Sequence, residues 1–127
     1  MTLPELDLNA MTGFLVDLLN IPSPTGYTET AITLCENELF RIPGISLTHT
    51  HKGALVATIP GEQEGSWRAL TAHVDTLGAM VKEIKSNGRL KLTKLGGFAW
   101  NTVEGEGLTV FTRFGETVRG SLLLDKA

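Results

Sequence analysis

A histidine and an aspartate stand two positions apart at the end of the apolar stretch Leu70-Thr71-Ala72-His73-Val74-Asp75. Residues two apart on a strand point to the same side, so we expect the carboxylate of Asp75 to reach the imidazole ring of His73. A carboxylate that holds one ring nitrogen fixes the tautomer and leaves the other nitrogen available to a metal ion. The pair therefore predicts a metal ligand, His73, with an orienting partner, Asp75. Alone, however, a His-x-Asp pair is more often an ordinary hydrogen bond than a metal site.

Other side chains of catalytic type stand in weaker contexts. His49 and His51 share one face of a predicted strand at a spacing that can bind zinc, but they lie beside the Lys52-Gly53 turn, where exposed histidines without a metal are common. Cys35 lies in a helical pattern, which favours a buried cysteine over a nucleophile. Three hydroxyl residues have neither a visible base nor a nucleophile elbow around them: Ser23, Thr25 and Ser121.

Two helices, a hairpin and a third strand are predicted around the His-x-Asp pair. Apolar residues at helical spacing predict a first helix from Leu8 through Leu18, with Asp7 or Asn9 as its N-cap. The prolines and glycine of residues 20–26 stop this helix, and a second is predicted over about 27–40. Alternating residues predict a hairpin from strands at 45–49 and 54–59. A nearly continuous apolar run predicts a third, central strand from Trp67 to His73.

The pattern changes to short strands after Asp75. Strands are predicted at 77–84, 90–95, 108–112 and 118–124, and Asn87-Gly88 is a strong hairpin-turn signal. Short strands at this spacing are typical of a small barrel or sandwich. We therefore predict an α/β fold class in two parts: residues 1–75 form part of a helix-and-sheet domain, and residues 76–127 begin an all-β domain.

Composition excludes several classes of partner. The chain has 127 residues, 42% of them hydrophobic and 20% charged, as in a globular domain. A formal net charge of -3, without any basic run, argues against a nucleic-acid partner. The single cysteine cannot form an internal disulfide, which favours a reducing, cytoplasmic location. No stretch approaches the length of a membrane span, and the N-terminus lacks the features of a secretory signal, so no membrane partner is expected.

Four segments come in a familiar order: Pro22 to Tyr27, Ala72 to Val81, Gly96-Gly97 and Gly105-Glu106-Gly107. Together they resemble the cytoplasmic two-metal aminopeptidases, a family that includes glutamyl and deblocking aminopeptidases and the tetrahedral dodecameric aminopeptidases. The resemblance extends over essentially the whole chain, and the His-Val-Asp run with its Gly-Ala-Met-Val sequel is its most specific part. Some family members are labelled endoglucanases. We do not expect that activity, because glycoside cleavage needs two placed carboxylates and nothing here singles out such a pair.

The resemblance implies a Zn-peptidase-like α/β domain, of which residues 1–75 are the N-terminal part, interrupted by a small β-barrel dimerisation domain that begins in residues 76–127. It also implies two divalent metal ions, zinc or cobalt, a peptide substrate that loses its N-terminal residues, and a homo-oligomer. His73 matches the family's first metal ligand. Asp75 matches the aspartate that orients this ligand.

The family's remaining ligands and its general base follow the barrel domain and have no match in this sequence. No histidine follows His73, and three glutamates in turn-like contexts match no ligand position: Glu104, Glu106 and Glu116. We therefore expect an N-terminal fragment that is inactive by itself. The alternative is a non-catalytic oligomerisation module in which His73 is structural. A coding sequence that continues with the missing ligands would decide for the enzyme.

Overall fold

The computed structural model describes residues 5–63 and 65–124 of the chain. The chain divides into two compact units, Met1–Leu95 and Gly96–Ala127. The predicted domain boundary after residue 75 stays a prediction. The elements in chain order are helices α1 (Leu8–Leu19) and α2 (Glu29–Leu39), strands β1 (Ser46–His49), β2 (Leu55–Thr58), β3 (Gly78–Ile84) and β4 (Leu90–Leu95), a short 3-10 turn (Trp100–Thr102), and strands β5 (Gly107–Phe111) and β6 (Thr117–Ser121).

Both predicted helices are present. The side chain of Asp7 accepts a hydrogen bond of 2.9 Å from the backbone N–H of Ala10, so Asp7 is the N-cap of α1, one of the two candidates. Between the helices, the N–H of Tyr27 donates to the carbonyl of Pro24 at 2.8 Å, which forms a tight turn. This turn delays the start of α2 to Glu29, two residues later than predicted.

The first unit also contains two antiparallel hairpins. In the first, β1 pairs with β2 from Ser46 opposite Thr58 to His49 opposite Leu55. In the second, β3 pairs with β4, with an irregularity between Val81 and Glu83. The predicted Asn-Gly turn joins these two strands. Gly88 adopts a positive φ of 80° in this turn, a conformation that other residues rarely tolerate.

The second unit is built on a third antiparallel hairpin, in which β5 pairs with β6. The segment after β6 folds back on the turn before β5: the N–H of Gly105 donates to the carbonyl of Leu122 at 2.8 Å, and the N–H of Leu122 donates to the carbonyl of Glu106 at 3.0 Å. Leu122 is buried as a result. Helices combined with antiparallel sheets are consistent with an α/β fold class. The Zn-peptidase-like architecture and the β-barrel stay predictions.

The predicted central strand from Trp67 to His73 is wrong. These residues have no regular secondary structure, and Trp67 and Leu70 are exposed at 80% and 102%. A strand exists through its hydrogen-bond ladder to a neighbouring strand. Within residues 5–63 and 65–124, the segment pairs with no strand, and the nearest bridge joins Thr76 to Pro24.

The buried interior of the described part of the chain is small. Three buried residues are found there: Ala31 on α2, Ser23 in the inter-helix loop and Leu122 after β6. Each hairpin has two strands and leaves large apolar side chains exposed, including Met80 and Ile84 on β3. None of the described helices is long and apolar enough to cross a membrane.

Candidate functional site

His73 and Asp75 are in contact, as the sequence predicts. The Nδ1 atom of His73 lies 3.0 Å from Oδ1 of Asp75 and 3.1 Å from the backbone carbonyl oxygen of the same residue. Both oxygens are hydrogen-bond acceptors, so the neutral ring carries its proton on Nδ1 and keeps a lone pair on Nε2. The side chain of His73 is 82% exposed, which leaves Nε2 accessible from solvent. The pair thus presents one imidazole nitrogen in the form that a metal ion requires.

The second oxygen of the Asp75 carboxylate is held by a residue from the loop between α1 and α2. The hydroxyl of Thr25 donates to Oδ2 of Asp75 at 2.7 Å. This hydrogen bond, assisted by the neighbouring His73 ring, lowers the pKa of the Asp75 carboxyl below its ordinary value, against a smaller opposing effect of desolvation. Asp75 is therefore ionised at neutral pH and accepts one hydrogen bond on each oxygen.

The whole loop segment from Ser23 to Thr25, here called the clasp, lies against Val74-Asp75-Thr76. The Ser23 hydroxyl donates to the carbonyl of Val74 at 2.7 Å, and the N–H of Thr76 donates to the carbonyl of Ser23 at 2.8 Å. Pro24 and Thr76 form a parallel bridge. The Ser23 side chain is only 2% exposed, so its hydrogen bond is made where water cannot easily replace it. These contacts join residues that lie about 50 positions apart in the sequence.

A glycine next to the pair allows this approach. A Cβ atom at Gly78 would lie 2.5 Å from Cβ of Pro24, far inside ordinary van der Waals separation. The backbone of Gly78 has no positive φ. The glycine is therefore required here by space and not by its backbone conformation.

Ser23 and Thr25 are the site residues that the sequence reasoning did not find. They were considered as nucleophiles, and they lack the base that a nucleophile needs. Their role in the structure is to bind the His-Val-Asp segment. The run Pro22-Ser23-Pro24-Thr25-Gly26 carries only a local signal, since hydroxyl side chains in turns commonly hydrogen-bond nearby backbone groups. It does not indicate a partner about 50 positions away.

The other candidates do not join this site. Nε2 of His49 lies 2.9 Å from Oε1 of Glu36, and both line an open groove of about 690 Å³ that neither His73 nor Asp75 borders. Cys35 is partly buried on α2, and burial raises the pKa of its thiol, which disfavours the nucleophilic thiolate. Glu104, Glu106 and Glu116 belong to the second unit.

The residues fit one ligand position of a metal site and not a complete shell. His73 offers Nε2 with its other nitrogen held by a carboxylate, the arrangement usual for a metal-bound histidine. Among the residues that the structure describes, no three or more His, Cys, Asp and Glu side chains are grouped as a metal ion would need.

Comparison with known proteins assigns the chain to a class of peptidases. Residues 53–127 match the family described as M42 glutamyl aminopeptidase, and the chain belongs to that family. The family resemblance derived from the sequence is thereby confirmed.

Two relatives show how much of such a protein the chain represents. It is 47% identical over 108 residues to the Bacillus subtilis (strain 168) protein named "Putative aminopeptidase YhfE", covering 85% of this chain and 31% of the relative. It is 34% identical over 67 residues to the protein named glutamyl aminopeptidase of Lactococcus lactis subsp. cremoris (strain MG1363), covering 52% of this chain and 19% of the relative. The chain thus spans less than a third of the length of either.

Proposed function

We propose that the complete protein is a metal-dependent aminopeptidase that releases N-terminal residues from peptides. His73 is one ligand of a two-metal site for zinc or cobalt, and Asp75 orients it. The observation that carries this proposal is the His73 ring, whose Nδ1 lies 3.0 Å from a carboxylate oxygen while its Nε2 is open to solvent. Membership of the M42 glutamyl aminopeptidase family supports peptides as substrates.

The chemistry divides between the bound ions and the residues of this chain. Divalent ions lower the pKa of a coordinated water and polarise a carbonyl group. Asp75 holds the His73 proton on Nδ1, which leaves the lone pair of Nε2 available to a metal ion. Thr25 lowers the pKa of the Asp75 carboxyl and holds Oδ2, which leaves Oδ1 directed to the ring. The remaining ligands and the general base are supplied by the rest of the complete protein in this proposal.

The test is a His73→Ala substitution in the full-length protein. We expect loss of at least about a hundredfold in the turnover of an aminoacyl anilide in the presence of zinc or cobalt, because removing a ligand disrupts the site that activates water. His51→Ala is the matched control, since His51 is exposed and lies outside the site. Full activity in His73→Ala, or activity that survives a chelator in the unmodified protein, would contradict the proposal.

A second candidate function is a non-catalytic assembly module, and the exposed sheet edges favour it. Each described hairpin is two-stranded, so each strand has one edge without a neighbouring strand. Met80 and Ile84 on β3 are exposed at 56% and 72%, an apolar surface that another chain could cover. Association alone does not distinguish the two functions, because a homo-oligomer in the cytoplasm is part of our proposal for the enzyme as well.

Light scattering on the purified chain tests association. We expect dimers or larger species, because unpaired edges and apolar faces favour pairing with a second copy. Met80→Lys and Ile84→Lys together should reduce the apparent mass, whereas Thr33→Lys on the exposed side of α2 should not. A monomer at high concentration would refute the assembly function.

A further inference from the structure

The Asp75 carboxylate is shared by two partners on different segments. Oδ1 faces Nδ1 of His73 at 3.0 Å, and Oδ2 accepts the hydroxyl of Thr25 at 2.7 Å. The His73 side chain is 82% exposed, so packing does little to hold the ring. The orientation and tautomer of the imidazole therefore depend on how firmly the carboxylate itself is held.

The hydroxyl of Thr25 is in turn fixed in place. Ser23, two residues before Thr25, is buried and makes two hydrogen bonds to the segment that carries Asp75. Pro24 has a restricted φ and bridges to Thr76. Because these contacts hold Thr25 in place, water replaces the hydrogen bond from its hydroxyl less readily than it would on a free loop. The hydrogen bond therefore restricts rotation of the Asp75 carboxylate.

We propose that Thr25 is a positioning residue for the metal ligand: through Asp75, its hydroxyl fixes His73 in the tautomer with the proton on Nδ1 and so sets the affinity of Nε2 for a divalent ion. The proposal deepens the function proposed above and rests on it for the identity of the ligand. Outer-shell partners of metal-bound histidines typically contribute 10- to 100-fold to metal affinity. Thr25 is one hydrogen bond further out, so we expect about the lower end of that range.

The experiment compares Thr25→Val with Thr25→Ser in the full-length protein, freed of metal. Valine matches the shape of threonine and lacks the hydroxyl, whereas serine retains it. Thr33→Val is the control, because the Thr33 hydroxyl donates to the backbone of its own helix at 3.0 Å, away from the site. The first readout is the ¹⁵N NMR shift of the two His73 ring nitrogens, which reports the tautomer directly. The second is the affinity for Zn²⁺ alone, measured by calorimetry.

We expect Thr25→Val to shift His73 towards a mixture of tautomers and to weaken Zn²⁺ binding about 10-fold, and Thr25→Ser and Thr33→Val to resemble the unmodified protein. An unchanged tautomer in Thr25→Val, with an amide spectrum showing an intact fold, overturns the proposal. If Zn²⁺ does not bind the unmodified protein through His73, the function proposed above fails. The tautomer measurement still decides whether Thr25 positions the ring, so the two failures are distinguishable.

Discussion

Replacing Gly78 by alanine should separate the clasp from the His-Val-Asp segment. The added Cβ would lie 2.5 Å from Cβ of Pro24, with Cγ and Cα of Pro24 at 3.5 and 3.7 Å behind it. Proline has no flexible end that could swing away, so the backbone of the clasp must retreat by roughly 1 Å to restore van der Waals separation. A shift of that size stretches the hydrogen bond from Thr76 to Ser23 from 2.8 Å to beyond its useful range.

The expected cost follows from these opposing effects. Overpacking of this kind destabilises by about 1–3 kcal/mol. Replacing glycine by alanine also restricts the unfolded chain, which stabilises the folded state by about 0.4–1 kcal/mol where the backbone tolerates alanine, as it does at Gly78. The difference between these two effects is a net loss of about 0–2.6 kcal/mol, with a central expectation of about 1 kcal/mol. It is measured as a lower urea midpoint at unchanged slope.

Gly120→Ala is the matched control for this experiment. Gly120 also lies on a strand without positive φ, and a Cβ there would meet no atom within 4 Å. Its stability should stay the same or rise slightly. If Gly78→Ala were as stable as Gly120→Ala, and the contact between Thr25 and Asp75 persisted in its NMR spectra, the clasp would not depend on the close approach described here.

Three further predictions concern single groups. Asp7→Ala should destabilise α1 by about 1 kcal/mol, seen as faster amide exchange at Ala10, because the N-cap hydrogen bond is lost. Thr25→Val should raise the pKa of Asp75 towards its ordinary value, as measured by a ¹³C titration of the carboxyl group. Because the pKa of Asp75 is depressed in the folded protein, ionised Asp75 stabilises the fold above the unfolded-state pKa. This stabilisation disappears as the pH falls through the folded-state pKa. Cys35 should alkylate more slowly at pH 7 than an unstructured cysteine, and more rapidly in urea, because burial raises its pKa.

Local signals predicted the elements whose contacts are close in sequence. The Asp7 cap, the Asn87-Gly88 turn and the hairpin strands each depend on residues that lie close in sequence, at most from Gly78 to its partner Leu95, and all are present. The segment from Trp67 to His73 was predicted as a strand from its apolar character alone. A strand also needs a partner, and apolar composition does not say whether one is adjacent.

The site shows the same division between local and distant contacts. His73 and Asp75 are two residues apart and are in contact as predicted. The prediction assumed a strand, however, and the segment has no regular secondary structure. Thr25 and Ser23 reach the segment from 50 and 51 positions away. Nothing in the periodicity of either segment indicates that pairing, and the Gly78 contact with Pro24 becomes visible only in three dimensions.

The part of the chain that matches the family model contains only part of the candidate site. The family match begins at residue 53 and so contains His73, Asp75 and Gly78, while the clasp lies before it, at residues 23–25. The His73 ring is 82% exposed, so packing does little to hold it, and its contacts with Asp75 lie within the matched part. The hydrogen bond that holds the other oxygen of Asp75 comes from Thr25, outside the matched part. In our proposal, the metal ligand His73 and the positioning hydroxyl of Thr25 thus belong to separate stretches of sequence. Substitutions in the clasp should therefore affect metal binding without altering any ligand.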